Sequence, residues 1–210
     1  MARERPRWLE EVEQDALSYF SRPSAHGWDH VQRVRALALH IAQAEGADPV
    51  IVEAAALLHD IGREAAEARG TPHAVESEHL ARAILAARKC PPTIAEAVAE
   101  AIRAHPWTGR EPARTLEAQV LQDADRLDAL GAVGVARTFV RAGELGRGIA
   151  HGAEHFAEKL CNLAEQMNTA TARRIAAERD AFMRAFFDQL KRELADGGAS
   201  AGGEEEARQG

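Results

Sequence analysis

The sequence predicts an all-α protein folded as a single-domain helical bundle, and three observations carry that expectation. Alanine-rich segments are frequent and only 5% of the 210 residues are aromatic, a balance that favours helices over sheets. Apolar residues recur at three- and four-residue spacings through one segment after another. The segments are separated by Pro, Gly and Asp-Pro, which start and stop helices.

The bulk numbers bound the class. At 210 residues the chain can bury one sizeable core, and its 46% apolar and 28% charged content is ordinary for a globular protein. A formal net charge of −7 argues against a duplex nucleic acid or a membrane as partner, since both are anionic. A small anionic substrate stays compatible, because a bound metal brings local positive charge. Cys90 and Cys161 stand apart without a CxxC, which suits a reducing compartment. No apolar leader follows Met1, and no stretch approaches the ~20 apolar residues of a bilayer span. A cytoplasmic protein is expected.

In chain order, Trp8, Val12, Ala16, Leu17 and Phe20 mark a first helix that should end before Ser21. Gly27-Trp28-Asp29-His30 opens a second, with Asp29 placed to cap it, and His30 shares its inward face with Val34, Leu37 and Ile41. Asp48-Pro49 reads as N-cap and first-turn proline of a third helix. That helix carries Ile51, Val52, Ala55 and Leu58 and delivers His59-Asp60, after which Gly62 permits a turn. Arg63 and Glu64 follow at the rim, and a guanidinium there matches phosphate geometry.

Gly70-Thr71-Pro72-His73 starts another helix along Val75, Leu80, Ile84 and Leu85; of His73 and His79, one should face the centre. Cys90-Pro91-Pro92 is a break, after which Ile94, Val98, Ala101 and Ile102 lead to His105, where Pro106 ends the helix. After a loop at Trp107–Arg110, a helix carrying Leu116, Val120, Leu121, Ala124 and Leu127 is punctuated by Asp123, Asp125 and Asp128. Asp125 lies on the face of Leu121, where a carboxylate needs a cation, and the adjacent Arg126 cannot supply it. Glycines from Gly131 to Gly152 suggest a loose cover. His151 to Leu160 reads as a helix start containing Lys159. A last amphipathic helix from about Ala170 to Leu194 should place Ile175, Phe182, Met183, Phe186, Phe187 and Leu190 on the core. Residues 196–210, small and acidic, are expected to be a disordered tail.

His30, the His59-Asp60 pair, His73, His105 and Asp125 thus come from separate helices, each on or at the end of an apolar face. Helical bundles assemble metal sites from such converging side chains. Two imidazoles and two carboxylates form a mixed shell for a divalent ion, and ligand identity alone does not choose among Mn, Fe, Co, Ni and Zn.

The order His30, then His59-Asp60, then Asp125 resembles the H…HD…D signature of HD-domain metal-dependent phosphohydrolases. LLHDIGR, QDADRLDALGAVGVARTF and HFAEKL resemble a subgroup of small bacterial HD hydrolases that includes enzymes cleaving (deoxy)nucleoside triphosphates to monophosphate and pyrophosphate. The likeness extends over roughly Trp28 to Phe187. It implies an HD-type helical domain over residues 1–195, with a motif core at about 26–130 and the metal site in the bundle core. By motif, His30, His59, Asp60 and Asp125 would bind the metal, most readily Mn, with Co, Ni, Fe, Zn or Mg compatible. His73 and His105 look like the extra histidines of larger HD sites. They are expected to line the substrate pocket and, with Asp60, to take part in catalysis.

Arg63, Arg126 and Lys159 are candidates for neutralising substrate phosphates, and Asp128 for meeting a sugar hydroxyl or an Arg. Arg63-Glu64 stands where alarmone hydrolases carry an acidic pair, and no GYP motif of the kind found in cyclic-di-GMP-cleaving HD proteins is present, so neither alarmone hydrolysis nor cyclic-di-GMP cleavage of that class is expected. The expected partner is a small phosphorylated substrate, a nucleotide, and a homodimer is a candidate assembly. Two rivals remain: a di-iron HD-type oxygenase, which uses the same six positions, and a non-catalytic metal- or nucleotide-binding regulator.

Overall fold

The computed structural model describes residues 5–21, 23–106, 111–151 and 163–201, with side chains described as far as residue 196. Among these residues every regular element is a helix. They are α1 (Arg7–Leu17), α2 (Trp28–Glu45), α3 (Pro49–Leu58), α4 (Arg63–Arg69), α5 (His73–Ala87), α6 (Pro92–Ala104), α7 (Leu116–Asp128), α8 (Gly131–Glu144) and α9 (Ala170–Ala201). None is long and apolar enough to cross a membrane.

The short α3 is the axis of the bundle. Asp48 caps it by accepting the Val50 N–H at 2.9 Å, and Pro49 occupies the first turn, as the Asp-Pro pair predicts. Val52, Ala54, Ala55, Ala56, Leu57 and Leu58 are fully buried, so α3 is apolar nearly all round, and it packs against α1, α2, α6 and α7. Its alanines let the neighbouring helices approach closely. Glu53, the buried charge on α3, pairs with Arg5 and Arg35 at the edge facing α1 and α2.

Several boundaries differ from the sequence expectation. α1 ends at Leu17, which is 42% exposed; Leu9 takes the buried place instead. Gly27, not Asp29, is the N-cap of α2, and the Asp29 carboxylate pairs with Arg33 one turn on. α4 is an extra short helix. Gly62 is not at a positive φ: it is glycine because a Cβ would lie 2.3 Å from the Ser77 backbone nitrogen, so α5 crosses against the turn after α3. The Gly62 N–H also donates to the buried Ser77 hydroxyl at 3.0 Å.

The glycine-rich stretch expected as a cover forms α8 through Glu144. Val135, Thr138 and Ala142 form its buried stripe, and packing on α9 outweighs the weak helix propensity of glycine. α9 begins where expected, with the Thr169 hydroxyl accepting the Ala172 N–H, but Phe182 is 49% exposed while Met183 and Phe187 fill the core. The helix continues to Ala201, into the segment expected as a tail, because extending an existing helix is far easier than nucleating one. The loop expected at 107–110 lies outside the described residues, as does the helix start expected at 151–160 apart from His151.

Candidate metal centre and substrate cavity

Six side chains converge where α2, α3, α5, α6 and α7 meet. His30 comes from the first turn of α2; His59 and Asp60 follow the end of α3. His73 opens α5, His105 ends α6, and Asp125 lies on α7. The Nε2 atoms of His30 and His59 are 3.3 Å apart. Asp60 Oδ2 lies 3.6 Å from each of them, and Asp125 Oδ1 is 3.5 Å from His30 Nε2. Donors around an ion at 2.0–2.2 Å stand roughly 3 to 3.5 Å apart, so His30, His59 and Asp60, and His30 with Asp125, have the spacing of neighbouring ligands on one ion. The other Asp60 oxygen, Oδ1, is buried without a hydrogen bond and faces His73 Nε2 at 3.6 Å and His105 Nε2 at 3.7 Å.

The histidines are held from behind. His59 Nδ1–H donates to the Ala56 carbonyl at 2.8 Å, and His105 Nδ1–H to Ile102 at 2.5 Å. His30 Nδ1–H donates to Asp128 at 2.7 Å. A carbonyl or carboxylate can only accept, so the proton sits on Nδ1 and, once the Nε2 proton is absent, each Nε2 aims a lone pair inward. Two lone pairs facing each other at 3.3 Å repel unless positive charge sits between them. The donor set therefore fits a divalent cation, with Asp60 offering one oxygen to each pair of imidazoles.

The protonation states agree. Burial pushes His59 down to about 4 and His73 down to about 3, the latter helped by Arg63, so both are neutral and able to ligate at neutral pH. Burial alone would lower His30 too, but its interactions with the acceptor carboxylates of Asp128 and Asp60 outweigh it and raise its pKa, so this spot attracts positive charge. Burial works against ionisation of Asp60, yet Arg63 and the surrounding histidines hold it well below the usual carboxylate range. For Asp125, His30 and His59 likewise outweigh burial and keep it ionised.

Behind the centre, Asp128 is buried and belongs to the support rather than to a substrate contact. Its carboxylate accepts from His30 Nδ1, from Arg33 Nε at 2.8 Å and Nη2 at 3.1 Å, and faces Arg137 Nη1 at 3.0 Å. No acceptor capacity is left for a sugar hydroxyl. Arg126 is also misplaced for substrate: it is buried on the other side of α7 and donates to the Gln166 carbonyl. Asp123, next along α7, clamps the start of α9 by accepting the Asn168 and Thr169 N–H groups at 2.8 Å. Lys159 lies outside the described residues. His79 is exposed, so His73 is the histidine that faces inward.

A cavity of about 680 Å³ opens over the centre. Asp60, His26 and His73 lie on its lining beside Arg63 and Glu64 of α4, Tyr19 and Phe20 after α1, and Arg141 and Glu144 of α8. The Arg63 Nε donates to Asp60 Oδ2 at 2.5 Å. His26 was missed from sequence: its Nδ1 lies 3.3 Å from Asp60 Oδ2 and 3.2 Å from Arg137. The His26-Gly27-Trp28-Asp29-His30 spacing was its one available signal. Arg137 and Arg141 were missed because α8 was not read as a helix.

Comparison with known proteins agrees with this geometry. Residues 27–130 match the sequence model of the family described as HD domain. The chain is 38% identical over 179 residues to the Bacillus subtilis protein YpgQ, covering 81% of this chain and 85% of that one. It resembles the crystal structure of YpgQ in complex with ADP, with a TM-score of 0.73, 34% identity, and 89% and 97% of the two chains covered. A Lactobacillus plantarum protein superposes with a TM-score of 0.76 at 32% identity over 90% of this chain and 97% of that one. An HD-superfamily hydrolase from Bacillus thuringiensis does so at 0.67 and 29%, over 89% and 96%.

Proposed function

This chain belongs to the HD-domain phosphohydrolase family, and from that premise we propose that it hydrolyses (deoxy)nucleoside triphosphates to monophosphate and pyrophosphate. The observation that carries the reading is the meeting of His30, His59, Asp60 and Asp125 beneath a cavity large enough for a nucleotide. The ADP bound by the similar YpgQ supports a nucleotide as ligand.

His30, His59, Asp60 and Asp125 would hold the ion, with Mn as first choice. A divalent ion supplies Lewis acidity, which lowers the pKa of water and offsets charge on phosphoryl oxygens. Asp60 Oδ1, buried and otherwise unpartnered, orients the attacking water by accepting its hydrogen. Water adds to the α-phosphorus, the bond to the β-phosphate oxygen breaks, and the water proton leaves with the products. His73 and His105 flank Asp60 Oδ1, and their Nε2 atoms hold that proton or a phosphate oxygen. Arg63 keeps donors beyond the one given to Asp60 and grips phosphate with them.

The test is to strip the protein, reload it separately with Mn, Co, Mg or Zn, and incubate it with nucleoside and deoxynucleoside triphosphates. Metal-dependent release of pyrophosphate with monophosphate is expected. Orthophosphate release, or silence with every metal, would refute the reading. The position of Asp60 Oδ1 between His73 and His105 favours a second reading, a two-ion centre, which as a di-iron site would make the protein an oxygenase. Two irons per chain with oxygen-dependent turnover would establish it.

A further inference from the structure

α8 turns one polar face toward the metal centre and its cavity, whose lining it reaches with Arg141 and Glu144. Arg137, Arg141 and Glu144 stand at i, i+4 and i+7, and each has a distinct task. Arg137 is spent on support: it faces Asp128, donates to the Ala25 carbonyl at 2.8 Å and touches His26. Glu144 is an anchor, accepting the Ala25 N–H at 2.7 Å with one oxygen and Arg141 Nη1 at 3.0 Å with the other. Arg141 is thereby tethered to the loop that carries His26 and held on the cavity wall, with its side chain 52% exposed. One hydrogen bond to Glu144 leaves most of the guanidinium's five donors uncommitted among the described residues.

Arg63, from α4, reaches the same cavity with one donor given to Asp60. Cleavage between the α- and β-phosphates releases a polyanion that gains charge as the bond breaks. A single guanidinium shared with a carboxylate is a weak match for it. We propose that Arg141 holds the β- and γ-phosphates of the substrate together with Arg63, and so makes the site select for a pyrophosphate leaving group. This rests on the nucleotide reading above. Glu144 sets the angle of the guanidinium, and the contact with Ala25 ties it to the rim of the metal centre.

The test uses Mn-loaded full-length protein at fixed free Mn, titrated calorimetrically with inorganic pyrophosphate and separately with AMP, alongside ATP turnover. Arg141→Ala should weaken pyrophosphate binding and lower kcat/KM for ATP by about tenfold or more, since charge-assisted bidentate bonds are the strong ones. AMP binding should stay within about twofold. Arg141→Lys should recover part of the loss, because an ammonium keeps the charge without the fork. An unchanged thermal transition checks that the exposed substitution leaves the fold alone. Equal pyrophosphate binding by wild type and Arg141→Ala, with ATP hydrolysed normally by both, would overturn the clamp and leave the nucleotide reading standing. Equal weakening of AMP and pyrophosphate would overturn it as well. A wild-type protein that neither binds pyrophosphate nor cleaves ATP would take down both.

Discussion

Asp128→Asn removes one charge from behind the metal centre while keeping the side-chain shape. In the native protein the carboxylate accepts from His30, accepts twice from Arg33 and faces Arg137, with its side chain 1% exposed. The amide keeps one acceptor oxygen and turns an NH2 group either toward the Arg33 and Arg137 donors or toward His30 Nδ1, which could accept it only by moving its proton to Nε2. About two charge-assisted bonds are lost, each worth about 1.5 kcal/mol at the low end that suits the partly exposed Arg33, giving roughly 3 kcal/mol of stability. His30 loses the anion that fixes its proton on Nδ1, and its Nε2 lone pair is no longer held toward the ion. Changes to such outer partners weaken metal binding about 10- to 100-fold. Urea unfolding of the metal-free protein measures the first effect and Mn titration by calorimetry the second. A variant that binds Mn as tightly as wild type would refute the view that Asp128 sets the ligand state of His30.

Three other outcomes are expected. Asp60→Ala should abolish metal-dependent turnover and the Mn-induced rise in Tm, while the metal-free variant keeps its helical circular dichroism, because the buried carboxylate carries an orphan oxygen that helps no fold contact; retained activity would sink the site. Gly62→Ala should destabilise the protein by about 1–3 kcal/mol in denaturant titration, since its Cβ would overlap the Ser77 backbone, and should also weaken Mn binding by displacing the start of α5. For pH, His59 and His73 have depressed values, about 4 and about 3, so their contribution to stability is present above the unfolded value of about 6.5 and is lost as pH falls toward them. His30, with a raised value, contributes below about 6.5 and loses that contribution as pH rises through its folded pKa. Metal-free stability should thus peak near neutrality, and Mn stabilisation should grow as pH rises through the raised folded pKa of His30, above its unfolded value of about 6.5; thermal scans with and without Mn would show a flat Mn effect if this is wrong.

The helices were legible because most apolar stripes run at one period and the breaks are chemical: Asp48-Pro49, Pro91-Pro92 and the residues around Gly27 left few alternatives. The six converging His and Asp positions were legible for a related reason. A polar residue at the end of, or within, an apolar helix face needs a partner, and His30, His59, Asp60, His105 and Asp125 each stand in such a place, while His73 opens the apolar helix that follows Pro72. What spacing along the chain could not show was direction. Asp123, Asp125 and Asp128 lie within two turns of one helix, yet one clamps α9, one faces the centre and one backs His30. The 100° step between neighbours on a helix sends each to a different tertiary neighbour. Gly62 and α8 were misread for a similar reason. Close approach of Ser77 and burial against α9 are contacts with distant segments, and local propensity is weak beside them. The sequence determined which His and Asp side chains stand on apolar helix faces and could share a cation; only the packing of α8 against the rim added Arg141 to Arg63 on the cavity wall, because that contact joins segments far apart in the chain.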